Sequence, residues 1–309
     1  MQKFPVQSET GFSFMELLVS MVVLIPVMAA AIGMFSVGAS HHAIGQNAID
    51  VSQDARTAME MMTTEIAQAG SHADVRTIAP STIVNSMTAQ SVQVESTAGF
   101  TAGDYVDVDV EPNDEIVQLT AVSGTRLTGV FRLDHGPNTP IRLPAMPYVT
   151  GIIPPSGLGP NSSATVTTLR FFGHIQGSNS DANENDPTVH YVEYGYDSAN
   201  EQITRSITPI TQSTKNPALP FVRNVKPSSV RFTLNTDVLG VVTSANIAMT
   251  VKNSVKSGTK YQEAPLASRI TIPSAIAASE LLWEYQHYRG LYPLPPTPSI
   301  VRTWAGQLQ

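Results

Sequence analysis

The stretch GFSFMELLVSMVVLI, residues 11–25, decides how this chain is built. It places one acid, Glu16, directly before an uncharged apolar run that continues from Leu17 to Ala39. Because about 20 apolar residues suffice for one membrane-spanning helix, the run predicts a single transmembrane segment over about residues 17–39. A carboxylate at the edge of such a segment needs a donor or a cation to satisfy it, and intramembrane acids usually mark a function.

Two other kinds of N-terminal segment share some of these features. A cleaved secretory signal has a basic amino-terminal region and an apolar core of about 7–15 residues. Here Lys3 is the only base before Gly11, Glu9 offsets it, and the apolar run is longer. A plain membrane anchor explains the run but gives no role to Gly11 or Glu16. Pro26 lies inside the run, where a membrane helix tolerates it if neighbouring helices satisfy the freed carbonyl.

The glycine, the aromatic residue, the acid and the apolar run together resemble the amino-terminal signal of type IV prepilins and pseudopilins. The resemblance implies that residues 1–11 are a leader peptide, which prepilin peptidase removes by cutting after Gly11. It also implies that the new terminus at Phe12 is N-methylated, and that Glu16 pairs with the terminal amine of a neighbouring subunit during assembly. An acid in the first helical turn is also favoured by the positive end of the helix dipole. The implied partners are other pilin subunits, prepilin peptidase, an inner-membrane assembly platform and membrane lipid.

A helical pattern continues beyond the apolar run. Apolar residues recur in steps of three and four from Ile44 to Ala69, and Gly70 is a typical helix stop. One helix is therefore predicted over residues 12–70, about 87 Å long at a rise of 1.5 Å per residue. Its polar face is predicted to carry charged and amide side chains: Gln46, Asp50, Gln53, Asp54, Arg56, Glu60 and Glu65.

Beyond Gly70 the sequence predicts short strands. Alternating apolar and polar residues between Gly and Asn turns indicate a small β-module over residues 78–150, and a β-rich head over residues 151–279 follows. An aromatic, proline-rich tail over residues 280–309 either docks on a partner or covers the chain's own head. The predicted fold class is α+β: a long N-terminal helix packed on a β-rich C-terminal head, with an inserted small β-module.

Three segments resemble one branch of the pilin family more closely. Residues 58–70 are similar to the end of the first helix in PilW-type minor pilins and in the pseudopilin J type. A hairpin predicted at residues 189–207 and a strand at residues 246–251 are similar to the PilW-type head. The resemblance implies a minor pilin, a structural subunit of a type IV pilus, and the size of the chain suggests a priming or tip position.

The same resemblance leaves a minor pseudopilin of a type II secretion system as an alternative. In either case the chain is expected in the bacterial inner membrane as a single-pass protein, and after assembly in a pilus at the cell surface or in a periplasmic pseudopilus. A rival of another class is a membrane-anchored surface or periplasmic binding protein that never polymerises.

The composition and the motifs of the chain bear on which classes of function the sequence supports. The net charge is −7 and no cluster of Lys and Arg occurs, so the sequence gives no support for nucleic-acid binding. The absence of cysteine excludes disulfides, thiolate zinc sites and cysteine nucleophiles. No nucleophile elbow, zinc-protease helix, phosphate-binding loop or dinucleotide-binding turn is found, and no enzymatic activity is predicted.

One loop carries the spacing of a calcium ligand set. Asp181, Asn183, Asn185 and Asp186 offer side-chain oxygens at nearly alternate positions, as calcium loops do. However, Asp186 stands where such loops have glycine, and Val192 stands where they have a bidentate glutamate. No cofactor or metal is therefore predicted, and calcium at these residues is kept as the weaker alternative to a solvated polar loop.

A group of acids between residues 104 and 115 includes alternate strand positions. We interpret them as one exposed strand face: Asp104, Asp107, Asp109, Glu111, Asp114 and Glu115.

Overall fold

The computed structural model describes residues 13–72, 74–143, 147–175, 188–253, 261–287 and 294–306, the side chains of residues 285–287 excepted. It has a long N-terminal apolar helix and a β-rich C-terminal part with several sheets, which confirms the α+β class. The helices are α1 (Phe14–Ala67), α2 (Pro273–His287) and α3 (Ser299–Trp304). The strands are β1 (Val75–Ala79), β2 (Gln90–Gln93), β3 (Tyr105–Val108), β4 (Glu115–Ser123), β5 (Arg126–Gly129), β6 (Thr139–Leu143), β7 (Ser163–Val166), β8 (Thr168–Gly173), β9 (His190–Asp197), β10 (Gln202–Pro209), β11 (Leu219–Val222), β12 (Arg231–Thr236), β13 (Val242–Lys252) and β14 (Glu263–Thr271).

The predicted long helix is confirmed as one uninterrupted element from Phe14 to Ala67. It continues through Pro26, whose missing N–H leaves the carbonyl of Val22 without its usual helical donor. Gly70 follows the helix with φ +77°, a conformation that glycine adopts without strain.

The described residues divide into two compact units. Those of Met1–Asp50 and Asn253–Gln262 form one unit, and those of Val51–Lys252 and Glu263–Gln309 form the other. In the first unit, the side-chain amide of Asn253 donates to the main-chain carbonyl of Ile44 at 3.3 Å.

The first sheet in the chain is six-stranded, with the order β1-β6-β3-β4-β5-β2, and its pairings are antiparallel. It packs on a core of its own, which includes Phe100, Leu127, Phe131 and Ile141.

Two four-stranded antiparallel sheets follow, ordered β11-β10-β9-β8 and β14-β13-β12-β7. The hairpin predicted at residues 189–207 is confirmed, because β9 pairs with β10 from Asp197 opposite Gln202 onward. The carboxylate of Asp197 closes the turn by accepting the amides of Ala199 at 3.0 Å and Asn200 at 3.3 Å.

The C-terminal quarter of α1 belongs to the same core as these two sheets. Ala55, Met59, Met62 and Ile66 are buried in that core at helical steps of three and four. Burying each such side chain contributes about 1.5–3 kcal/mol relative to leaving it in water.

Glycines hold the end of α1 against the sheet by direct main-chain contact. The amide of Gly70 donates to the carbonyl of Phe172 at 2.8 Å, and the carbonyl of Gly70 accepts the amide of Tyr148 at 3.0 Å. A Cβ atom on Gly151 would lie 2.1 Å from the nitrogen of Gly70, and one on Gly173 would lie 2.5 Å from the carbonyl oxygen of Gln68. No side chain fits at either position without moving the helix end.

The described part of the tail covers the chain's own β-rich part. Val301 of α3 is fully buried, and the ring of Trp304 lies 5.6 Å from the ring of Tyr191 between centroids. The carbonyl of Pro295 accepts the amide of Val149 at 3.1 Å. Of the two roles expected for the tail, these contacts support intramolecular packing.

We expect Gly151→Ala to lower the free energy of unfolding by about 1–3 kcal/mol, the usual range for overpacking a tight contact. The reason is the backbone of Gly70 and Ala69, which occupies the space that the new methyl group needs. Gly159→Ala is the matched control, because nothing lies within 4 Å of its Cβ position. Urea unfolding of the detergent-solubilised full chain measures both, and equal stability of the two variants would contradict the close contact.

Candidate functional site

Glu16 lies in the first turn of α1, as predicted, and its carboxylate caps the helix. One carboxylate oxygen accepts the amide of Ser13 at 3.0 Å. The hydroxyl of Ser13 in turn accepts the amide of Met15 at 3.3 Å. Both bonds are exposed, and both satisfy main-chain amides at the start of the helix.

The apolar half of α1 is long and apolar enough to cross a membrane, a criterion of length and composition that a signal sequence also meets. In the described structure, no residue in the most apolar 18-residue stretch of this helix is buried. Hydroxyl groups along it bond to the helix itself: Ser20 donates to the carbonyl of Glu16 at 2.7 Å, and Ser40 to that of Ser36 at 2.9 Å. Such internal bonds let hydroxyl groups enter an apolar environment without an unsatisfied donor.

The other residues with a predicted role lie outside the described residues. These are Gly11 and Phe12 at the expected cleavage site, and Asp181, Asn183, Asn185 and Asp186 in the calcium-like loop. Cleavage, N-methylation and calcium binding therefore stay predictions. Among the residues that the structure does describe, no group of three or more His, Asp or Glu side chains is placed to hold a metal ion.

Glu65 was predicted on the exposed polar face of the helix, and this prediction is wrong. Only 3% of its surface is exposed. Its carboxylate accepts hydrogen bonds from the Nη2 and Nε atoms of Arg205, at 2.5 and 3.2 Å, and from the hydroxyl of Tyr194 at 2.5 Å. Arg205 lies on β10 and Tyr194 on β9, so the three side chains join the end of α1 to the hairpin.

The charges of this cluster are matched inside the protein. Burial opposes the charged form of Arg205, but hydrogen bonds to Glu65 and its charge outweigh burial and raise the pKa of the guanidinium. Burial, with the charge of Glu65 added to it, raises the pKa of Tyr194 far above its usual value, so the phenol stays a neutral donor. A buried carboxylate thus has one cation and one neutral donor as partners.

A second buried cluster lies in the six-stranded sheet. His135 is 1% exposed, and its two ring nitrogens lie against two carboxylates. Nδ1 is 3.0 Å from Oδ2 of Asp109, and Nε2 is 2.8 Å from Oε1 of Glu115. Glu115 also accepts the main-chain amides of Arg132 and Leu133. Because the two nitrogens point in different directions, the carboxylates flank the ring and do not converge on one cation.

The interpretation of the acids at residues 104–115 as one exposed face is therefore wrong for three of them. Asp109 and Glu115 bind His135, and Asp104 is buried, where it accepts the amide and the hydroxyl of Thr101 at 2.6 and 3.0 Å. The three remaining acids are at least partly exposed: Asp107, Glu111 and Asp114.

Sequence reasoning missed Glu65, Arg205, Tyr194 and His135 as a group. Glu65 and Arg205 are 140 residues apart in the chain, and Glu115 is 20 residues from His135. No local spacing links such residues, so the buried clusters became visible only when the strands were paired.

Comparisons with family models, with curated proteins and with solved structures give no match for this chain.

We expect Arg205→Met to lower the free energy of unfolding by about 3–5 kcal/mol, because it leaves the carboxylate of Glu65 buried without its cation. Arg231→Met is the matched control, since Arg231 is exposed on β12 and its loss is expected to change stability by less than about 0.5 kcal/mol. Chemical unfolding followed by tryptophan fluorescence measures both. A loss for Arg205→Met as small as that of the control would show that the cluster does not hold the helix end.

Proposed function

We propose that this chain is a minor pilin, a structural subunit of a type IV pilus that is held in the inner membrane before assembly. The observation that carries the proposal is the combination in α1 of a first-turn acid, Glu16, with an unburied apolar half and a C-terminal end built into a β-rich core. An anchor alone needs the apolar half only.

The unburied apolar half supports the proposal because it needs a nonaqueous environment. Large apolar side chains point outward along its length, Leu24, Ile32 and Phe35 among them. Lipid covers them in a membrane, and the same surface packs against identical or related helices once a subunit enters a filament. Neighbouring helices also satisfy the carbonyl of Val22, which Pro26 leaves without its helical donor.

The geometry at Glu16 supports pairing with another subunit. Its only described side-chain contact is the exposed bond to the amide of Ser13, and an exposed acid in the first turn of a helix contributes about 0.3–1 kcal/mol. Removal of residues 1–11 would create a cationic amine at Phe12, the residue before Ser13. At a separation of about 4 Å and an effective dielectric constant of about 20, an amine and a carboxylate attract by about 4 kcal/mol. In a filament core, a neighbour's amine therefore outcompetes the local cap.

In the proposed pilus, the β-rich part is the portion of the subunit that is presented at the surface. We assign residues 151–279 to the pilin head and residues 78–150 to a small module inserted between the long helix and the head, although the sheet of that module already begins with β1 at Val75. A subunit with this extra bulk suits a priming or tip position, where fewer neighbours crowd the head than along the shaft.

A minor pseudopilin of a type II secretion system uses the same helix and the same acid, so every feature named above supports it equally. A membrane-anchored binding protein that never polymerises accounts for the apolar helix but gives no task to Glu16.

Glu16→Gln is expected to reduce incorporation into filaments by about tenfold or more, since it removes a charge pair worth more than 1.4 kcal/mol. Immunoblots of sheared fibres from a piliated host measure the change, with Glu60→Gln, an exposed acid on the same helix, as the control.

Mass spectrometry of the wild-type chain should find N-methylphenylalanine at Phe12. Full incorporation of the Glu16 variant, or an intact start at Met1, would count against assembly and for the anchored binding protein.

Two arginines in the apolar run are expected to release the chain from membranes. Val27→Arg with Ala31→Arg adds about 5–7 kcal/mol to the cost of insertion, at about 2.5–3.5 kcal/mol for each charge near the centre of the span. The control pair, Gln53→Arg with Thr57→Arg, adds the same charges to exposed positions of the same helix outside the run. Alkaline extraction of membranes separates the outcomes, and a doubly substituted run that stays in the membrane pellet as fully as the control would refute the anchor.

A further inference from the structure

One end of the six-stranded sheet carries three loops side by side. In this antiparallel sheet β1, β3 and β5 end where β2, β4 and β6 begin, so their connections share one end. We call this end the three-loop edge and define it as residues 80–89, 109–114 and 130–138. It lies wholly within the compact unit that contains the sheets.

Hydrogen bonds between the loops hold the three-loop edge together. Ile83 and His135 exchange main-chain bonds at 3.0 and 2.9 Å, and the amide of Ser86 donates to the carbonyl of Phe131 at 2.7 Å. The carboxylate of Asp134 accepts the amide of Asn85 at 2.7 Å.

The imidazole of His135 connects the remaining loop, residues 109–114, to the other two. It bonds to Asp109, the first residue of that loop, and to Glu115, the first residue of β4 after it. Glu115 then fixes the amides of Arg132 and Leu133 in the neighbouring loop. The edge is therefore organised before anything binds, which lowers the entropic cost of binding.

This organised edge exposes large apolar side chains to solvent. The exposed fractions are 88% for Met87, 64% for Val84, 63% for Val110 and 40% for Leu133. Each lies within two residues of a hydrogen bond that joins two of the loops. The core of the sheet is formed by other side chains, and these four are not part of it. Clustered apolar exposure of this kind marks an interaction surface.

The exposed charged side chains of the three-loop edge indicate which kind of partner fits it. The exposed charged side chains of the three loops are three acids, Glu111, Asp114 and Asp134, and one base, Arg132. The amide of Asn85 holds the pKa of Asp134 below its usual range, so this carboxylate is ionised at neutral pH. Exposed acids on the same loops as exposed apolar side chains are complementary to a partner that combines apolar residues with Lys or Arg.

We propose that the three-loop edge is a docking surface for a cationic, apolar peptide segment of a partner protein, preorganised by the clamp of Asp109 and Glu115 on His135. Val84, Met87, Val110 and Leu133 supply the apolar contact, and Glu111, Asp114 and Asp134 receive the partner's basic side chains. The proposal concerns the six-stranded sheet alone and does not depend on whether α1 assembles into a filament.

Two dye-labelled synthetic peptides test the proposal against the full chain in a nonionic detergent. One alternates leucine with lysine, and the other alternates leucine with glutamate. Fluorescence anisotropy measures their dissociation constants. The lysine peptide is expected to bind the wild-type chain at least about tenfold more tightly than the glutamate peptide, and to weaken with added salt.

Matched variants decide whether the binding is at this edge. Val84→Ser with Met87→Ser is expected to weaken the lysine peptide by about tenfold, the effect typical of central contacts. Leu219→Ser with Val238→Ser removes two apolar side chains elsewhere, each as exposed as Val84, and is expected to change nothing. Glu111→Gln with Asp114→Asn is expected to weaken binding several-fold and to reduce its dependence on salt.

The proposal fails if the Val84 and Met87 variant binds the lysine peptide like the wild type, or if the two peptides bind equally well. It also fails if the wild type forms a dimer that this variant abolishes while neither peptide binds, because the occupant would then be a second copy of the chain. Circular dichroism melting of each variant confirms that the sheet is folded in every comparison.

Discussion

The structure of the β-rich part depends on the contact of bare backbone between the end of α1 and the sheet beside it. The last carbonyls of a helix have no partners within the helix, and in α1 those of Glu65 and Ile66 accept the amides of Gln68 and Ala69 just beyond it, so that the sheet is bonded by Gly70. Here Gly70 bonds to Phe172 and Tyr148, at a separation that only glycine at positions 151 and 173 permits. This contact sets the helix end at the depth where Met62 and Ile66 enter the core and Glu65 meets Arg205.

The acids of this chain differ in where their partners lie. Glu65 is hydrogen-bonded to Arg205 and Tyr194. Asp109 and Glu115 are hydrogen-bonded to His135, so these three carboxylates have their partners within the fold. Glu16 has an exposed main-chain amide as its partner, which water could replace at little cost. An acid whose contribution to the fold is one exposed hydrogen bond, placed at the edge of an apolar helix, can exchange that bond for an interaction with another molecule.

The same distinction applies to apolar side chains. Those of the six-stranded sheet and of the two smaller sheets fill continuous cores. Those of the first half of α1 and of the three-loop edge stay exposed, and they differ in setting. The helix offers an uncharged apolar surface suited to lipid or to other helices, whereas the edge carries exposed carboxylates on the same loops as its apolar side chains and so suits a basic partner.

Local sequence patterns were sufficient to predict the elements whose deciding interactions are local. The apolar run, the helical steps up to Ala69, the stop at Gly70 and the Asp197 turn follow from residues close together in the chain, and all were predictable from the sequence. Burial of Glu65 and of the acids around His135 was not, because a carboxylate on a helix or strand is polar by type whichever way it points. Whether it faces water or a guanidinium depends on a strand far away in sequence, and only the tertiary structure brings that strand into place.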